Sequence, residues 1–97
     1  MNLLPGSQRI TGDSVVGPTG RPIRLYCVSL VSSGGGASVL SLKNGSTSSG
    51  TEYVSVTGTT STGSVVNFAG GLRFPDGLFA DADTNTASAT FVFDTEF

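Results

Sequence analysis

The sequence predicts an all-β protein, a single-domain β-sandwich or small jelly roll of about seven to eight short antiparallel strands with an extended N-terminal arm. The first observation behind this class is that short runs of β-forming residues alternate with breaks of Gly, Ser, Thr, Asn or Asp between residues 44 and 93. The second is that apolar residues nowhere recur at helical spacing over about ten residues that are free of glycine and of clustered β-branched side chains. Strands and turns are therefore expected to make up almost the whole chain.

The composition agrees with one small folded domain. The chain has 97 residues, of which 37% are hydrophobic and 12% are charged, and its net charge is -2. Disordered chains combine low hydrophobicity with high net charge, so this chain is expected to fold. The charged fraction is roughly half that of an average soluble domain. Because a core this small gains stability from further burial, we expect the chain to associate with copies of itself.

The predicted arm spans residues 1–22 and precedes a predicted sandwich domain at residues 23–97. Glycine and proline interrupt the first segment so often that only short pieces of it could pair as strands. Two interpretations stay open: a loop or edge meander laid over the domain, and an arm that reaches a neighbouring subunit.

The first strong strand is predicted at residues 23–31. Successive side chains of a strand point to opposite sides of the sheet. Regular alternation would place apolar side chains on both faces of this strand, with Ile23, Leu25 and Cys27 on one face and Tyr26, Val28 and Leu30 on the other. Such a strand is expected to be covered on both sides, either as a central strand or as one whose outer face contacts another chain.

Further strands are predicted at residues 37–43, 52–57, 64–68, 72–74, 78–81 and 87–93. Asn44 and Gly45 form the kind of pair that tolerates positive φ in a tight hairpin turn. Gly70 and Gly71 are expected to form a sharp corner or a bulge. In the last strand, regular alternation predicts one packed face, made by Ala87, Ala89, Phe91 and Phe93.

Several chemistries are excluded by residue types that the chain lacks. It has no histidine, which removes nucleophiles that depend on an imidazole base and also histidine-ligated metals. Its single cysteine, Cys27, can form neither an internal disulfide nor a thiolate zinc cluster. The basic residues stand singly, so we expect no nucleic-acid partner. Because the sequence shows neither a signal peptide nor a long apolar run, no membrane partner is expected.

Carboxylates are the remaining candidates for catalysis. The residues that could supply a catalytic pair are Glu52, Asp76, Asp81, Asp83 and Asp94. Each stands beside a turn or on a wet strand face, whereas catalytic carboxylates need a cleft that shifts their pKa values. We therefore expect no enzymatic activity, no small-molecule substrate and no cofactor.

One acidic segment has the spacing of an ion-binding loop. Asp81, Asp83 and Asn85 stand at alternate positions, like the start of a calcium loop. The rest of that pattern fails, because Thr86 replaces the required glycine and Val92 replaces the bidentate glutamate. A solvated turn with Asx-type hydrogen bonds is the simpler interpretation, and ion binding there stays open.

Three segments of the sequence resemble segments of a known protein family. They lie at residues 44–51, 57–68 and 71–81. They read Asn-Gly-Ser-Thr-Ser-Ser-Gly-Thr, Thr-Gly-Thr-Thr-Ser-Thr-Gly-Ser-Val-Val-Asn-Phe and Gly-Leu-Arg-Phe-Pro-Asp-Gly-Leu-Phe-Ala-Asp. This pattern of turns and aromatic residues resembles small all-β structural proteins of tailed bacteriophages, especially those of aquatic bacteria. The resemblance implies a virion component, a head decoration or cement protein that sits as trimers on the capsid lattice. It brings no catalytic residues.

The resulting hypothesis is a non-enzymatic virion structural protein, a capsid decoration or cement protein that stabilises the phage head by bridging capsid subunits. Its partners would be copies of itself, as a homotrimer, and the major capsid protein. It would be synthesised in the host cytoplasm and lie on the capsid surface of the virion. Subunit contacts are predicted at Leu3, Leu4, Ile10, Val15, Val16 and Tyr26.

Two alternatives stay open. A tail, fibre or neck accessory protein of the same particle would show the same sequence pattern. A carbohydrate-binding β-sandwich module would share the fold. Sugar sites usually offer an aromatic platform, however, and the chain has no tryptophan and only 2 tyrosines.

Overall fold

The computed structural model describes residues 3–97, and within these residues it contains strands and no helix. The strands in chain order are β1 (Leu3–Ile10), β2 (Ser14–Val16), β3 (Ile23–Ser32), β4 (Ser38–Asn44), β5 (Thr51–Gly58), β6 (Gly63–Phe74), β7 (Leu78–Ala82) and β8 (Thr86–Glu96). The predicted all-β class is confirmed, and so is the predicted number of strands.

The strands form two 4-stranded antiparallel sheets. The first sheet has the strand order β1-β8-β3-β6, and the second sheet has the order β2-β7-β4-β5. The inward side chains of both sheets build one continuous hydrophobic core, whose largest fully buried members include Phe74, Phe91 and Leu40. The predicted single-domain sandwich is therefore confirmed.

β8 is a central strand, paired with β1 on one side and β3 on the other. The predicted alternation holds along most of it, since Ala89, Phe91 and Phe93 are buried while Val92 is exposed. The prediction fails for Ala87, which is exposed rather than packed. The cause is a register shift against β3, between Val31 and Ser32, which turns the first residues of β8.

β3 departs from regular alternation at one point. Its register against both neighbours shifts between Leu25 and Cys27, which makes Tyr26 the extra residue of a bulge. A bulge moves the residues that follow it to the opposite face. As a result the inward residues on both sides of the bulge share the core: Ile23, Leu25, Val28 and Leu30. The prediction of apolar residues divided between two faces is therefore wrong for this strand.

β6 carries a pair of glycines where it pairs with the bulged part of β3. Its register against β3 passes from Asn67, opposite Cys27, to Leu72, opposite Leu25. Between them, Gly70 and Gly71 adopt φ values of 77° and 85°, which other residues rarely reach. The predicted bulge is confirmed, and the strands predicted at residues 64–68 and 72–74 are two parts of one strand.

The N-terminal segment differs from the predicted arm. β1 pairs with β8 along its whole length, and β2 pairs with β7. The Gln8 side chain joins these two edge strands, because its Nε2 donates to the Val15 carbonyl at 2.9 Å and its Oε1 accepts from the Gly17 amide at 2.9 Å. The structure therefore shows no domain boundary at residue 22 and favours the edge meander. Met1 and Asn2 lie outside the described residues.

Glycine and proline explain why the sequence pattern places this segment outside the domain. Both residue types interrupt central strands, but an edge strand tolerates them because one of its sides needs no hydrogen-bond partner. β1 carries Pro5 and Gly6 on such an edge. Pro5 and Gly6 argue against a central strand, but they are compatible with the edge position of β1.

Candidate interaction surface

The carboxylates considered for catalysis are distributed over the molecule. Asp94 on β8 accepts a hydrogen bond from the Tyr26 hydroxyl at 2.8 Å, and Asp81 on β7 pairs with Lys43 at 2.8 Å. Asp76 accepts from the Asn44 side-chain amide at 2.9 Å in a turn. Residues 3–97 enclose no pocket that would bring two of these carboxylates to one substrate. Each of these three is a partner in a pairwise structural contact.

The acidic segment after β7 uses its oxygens within the turn. Asp83 Oδ1 accepts from the Asn85 amide at 3.1 Å and from the Thr86 hydroxyl at 2.9 Å. Asn85 Nδ2 in turn donates to the Ala37 carbonyl at 3.2 Å. These contacts are those of an Asx turn. Within the described part of the chain, no three His, Cys, Asp or Glu side chains are grouped as metal ligands would be.

An ion pair lies on the outer face of the first sheet, and the sequence pattern does not predict it. Arg73 on β6 donates to both carboxylate oxygens of Glu96 on β8, at 2.8 Å and 3.2 Å. Although Glu96 is only 4% exposed, the Arg73 guanidinium holds the pKa of its carboxyl below the usual value. No local signal could reveal this pair, because β3 lies between the two strands in the sheet.

Tyr26 occupies the bulge beside this ion pair. The Tyr26 hydroxyl donates a hydrogen bond to the Asp94 carboxylate, and this bond is the main reason that the pKa of Tyr26 is raised. The half-buried ring is thereby fixed against β8. Tyr26 is one of the predicted subunit contacts, and the described chain gives it an intramolecular partner.

The other predicted subunit contacts divide into two groups. Ile10 and Val16 lie in the core, so the prediction is wrong for them: their side chains pack against the other buried residues of the sandwich. Leu3 and Leu4 are 48% and 58% exposed, and Val15 is half-buried on β2. Of these five residues, only the latter three remain available to a partner.

Three exposed valines share the outer face of the first sheet. Residues opposite each other in an antiparallel pair lie on the same face. Cys27 is opposite Val92, and Ser29 is opposite Val65, two residues further along β3. Val31 follows on the same face of β3. We call the surface formed by Val31, Val65 and Val92 the valine face.

The outer face of the second sheet mixes charged residues with the half-buried Val15 and Phe79, which are opposite each other. Lys43 and Asp81 form their ion pair there, and the Ser41 hydroxyl donates to Glu52. Val39 is an exposed large apolar residue of this face, with 43% of its surface accessible. The valine face, with three such residues, lies on the first sheet.

A second apolar surface lies where β1 begins and β8 ends. Leu3 is opposite Glu96, and the adjacent Phe97 is 50% exposed. The Arg21 guanidinium lies over the Phe97 ring, 4.9 Å from its centroid, in cation–π geometry. Leu3 and Leu4 are successive residues of β1, so their side chains point to opposite faces of the sheet. We call the exposed apolar residues at these strand ends, Leu3, Leu4 and Phe97, the terminal cluster.

Comparison with known proteins adds no relative. The chain matches no protein-family model, no curated protein and no solved structure. In residues 3–97, no helix is long and apolar enough to span a membrane. Any assignment of function therefore has to be argued from the surfaces described above and from the sequence.

Proposed function

We propose that this protein is a non-enzymatic virion structural protein, a capsid decoration or cement protein of a tailed bacteriophage. In this role it binds the major capsid protein on the outer surface of the head as a homotrimer and bridges neighbouring capsid subunits. Light scattering of the purified protein distinguishes a trimer from a monomer.

The observation that supports the proposal most strongly is the valine face. Val65 is 63% exposed and Val92 is 46% exposed, on a sheet where the neighbouring outer residues Cys27 and Ser29 are small and uncharged. A group of exposed apolar side chains on one face of a domain supports an interaction site there. Interfaces are depleted of charge in their centre, and the valine face meets that condition.

Three charged residues at one end of this face already have partners. Arg73 and Glu96 neutralise each other, and Asp94 is engaged by Tyr26. A partner that covers the valine face therefore meets a polar rim of paired charges at one end. On the β1 side it meets the exposed Arg9, which is opposite Thr90 and forms no salt bridge within residues 3–97. The absence of a pocket in residues 3–97 agrees with a flat contact to another protein rather than to a small ligand.

The test is co-sedimentation with phage heads from which the protein is absent. Wild-type protein is expected to bind, and Val65→Glu or Val92→Glu is expected to weaken binding by about tenfold or more, because each substitution buries an unpaired carboxylate in the contact. Both positions are exposed, so the fold should be unchanged.

Val39→Glu is the matched control. Its exposed fraction is close to that of Val92, but it lies on the outer face of the second sheet. The proposal predicts that this variant binds heads like the wild type. Equal losses for all three variants would contradict a role of the valine face, and wild-type protein that ignores heads would contradict the decoration function itself.

A further inference from the structure

We propose that the free edge of β1 is an acceptor site for an extended segment of a partner protein, which binds by antiparallel β-pairing. The expected segment is apolar at its carboxyl end and acidic near its amino end. The inference rests on the proposed function only for the identity of the partner, the capsid protein. The pairing chemistry follows from the edge itself.

The four edges of the two sheets are not equally open. Proteins protect sheet edges by making edge strands short or by introducing bulges. β2 has 3 residues, β5 pairs through a register shift, and β6 contains the Gly70–Gly71 bulge. β1 alone among the edges of residues 3–97 is long and keeps one register throughout, from Leu3 opposite Glu96 to Ile10 opposite Ala89.

Two observations fix which backbone groups of β1 point outward. The Glu96 amide donates to the Pro22 carbonyl at 3.0 Å, away from β1, so Leu3 and Glu96 form a pair without mutual hydrogen bonds. Alternate residues then repeat that orientation, which puts Pro5 on the outward side as well. Proline has no N–H to donate, so this orientation leaves no gap in the ladder with β8.

The free edge consequently offers a defined set of groups. Leu3, Ser7 and Arg9 present both an N–H and a carbonyl, whereas Pro5 presents a carbonyl alone. An added strand can use these groups as strands do within a sheet. Proline lowers the number of bonds by one and leaves the rest available.

The side chains at the two ends of β1 specify the chemistry of the partner. The terminal cluster lies at the start of the strand, with Leu4 58% exposed. At the other end the exposed Arg9 forms no salt bridge with any residue in the described chain. An antiparallel segment that fits both ends carries a carboxylate opposite Arg9 and apolar side chains opposite Leu3 and Leu4.

A second copy of the chain fits this edge poorly. Antiparallel pairing of β1 with itself over most of its length places Leu3 opposite Arg9 of the other copy. The leucines would then be covered by polar side chains, and no carboxylate would reach Arg9. A segment of different sequence satisfies both ends.

The experiment uses the full chain and a synthetic peptide of about eight residues, the length of β1. The peptide has glutamate opposite Arg9, threonines in the middle and two valines opposite Leu4 and Leu3. In an NMR titration, the Ser7 and Arg9 amides are expected to shift and to exchange with solvent about tenfold more slowly at saturation. Shifts confined to the valine face, or none, would overturn the proposal.

Two variants sharpen the result. Ser7→Pro removes an outward N–H from an exposed position and is expected to weaken peptide binding about tenfold. Arg9→Glu is expected to weaken it about fivefold, and a peptide with lysine in place of glutamate should restore binding. Val39→Thr, on the second sheet, should bind the peptide as the wild type does. Unchanged affinity in both edge variants would overturn the proposal.

Failure of this inference can be separated from failure of the proposed function. If wild type and Ser7→Pro coat phage heads equally, the decoration function stands and the edge proposal is wrong. If the peptide binds β1 but the protein ignores heads, the edge proposal stands and the function is wrong. Concentration-dependent dimerisation that Ser7→Pro abolishes would show that a second copy occupies the edge, against the proposal.

Discussion

Glu96 illustrates how much a single side chain depends on its sheet neighbours. It is the last residue of β8, and it is buried beneath Arg73 and held by two hydrogen bonds. Its amide also fixes the end of β8 to the start of β3 through Pro22. The residue thus ties three strands of the first sheet together.

Acid should weaken this contact in a defined way. Because Arg73 lowers the folded-state pKa of Glu96, the contribution to the free energy of unfolding is complete above the unfolded pKa of about 4.3. It is lost as the pH falls through the folded value. In urea titrations from pH 7 to pH 2, Arg73→Gln should show a shallower acid-induced loss of stability than wild type. Identical pH profiles would contradict the contact.

Among the elements, the bulge where β3 meets β6 has the most specific requirements. A Cβ atom at Gly71 would lie 2.4 Å from Arg24 Cγ, and φ there is positive. Gly70 has a similar φ, but a Cβ atom at that position would have no neighbour within 4 Å. A side chain at Gly70 would therefore cause backbone strain alone, whereas a side chain at Gly71 would cause both backbone strain and crowding against Arg24.

Alanine substitutions test this difference. Gly70→Ala should lower the free energy of unfolding by about 1–2 kcal/mol, because alanine disfavours the left-handed conformation. Gly71→Ala should lose at least about 1 kcal/mol more, since Arg24 and Tyr26 must also move. Denaturant unfolding of both variants gives the comparison, and equal losses would show that the Arg24 contact is unimportant.

The strands also show how far sequence reasoning reaches. Alternation along most of β8 and the glycine bulge at Gly70 and Gly71 are local properties, so the sequence predicts them correctly. The inward face of β3 escapes such reasoning, because one extra residue at Tyr26 reverses the alternation and only pairing with two neighbours reveals it. The position of β1 beside β8 and the ion pair of Glu96 depend on contacts between segments that are distant in sequence. Hydrophobic periodicity carries no information about such contacts.

At the scale of the whole molecule, the two sheets differ in what they present to solvent. The outer face of the second sheet carries an ion pair together with Val15, Val39 and Phe79, while the first sheet combines the valine face with the free edge of β1. A protein that binds through one broad face would show this asymmetry. Contacts through both the face and the edge would join two capsid subunits to one decoration subunit.

The proposed capsid-stabilising role can be measured on phage heads. Heads from which the protein is absent are heated with and without added wild-type protein, and their disruption is followed by light scattering. Wild-type protein is expected to raise the disruption temperature, because binding to the intact shell stabilises it. Val65→Glu is expected to cause no increase. Heads that break at the same temperature in the presence of wild-type protein would contradict the claim that this protein stabilises the capsid.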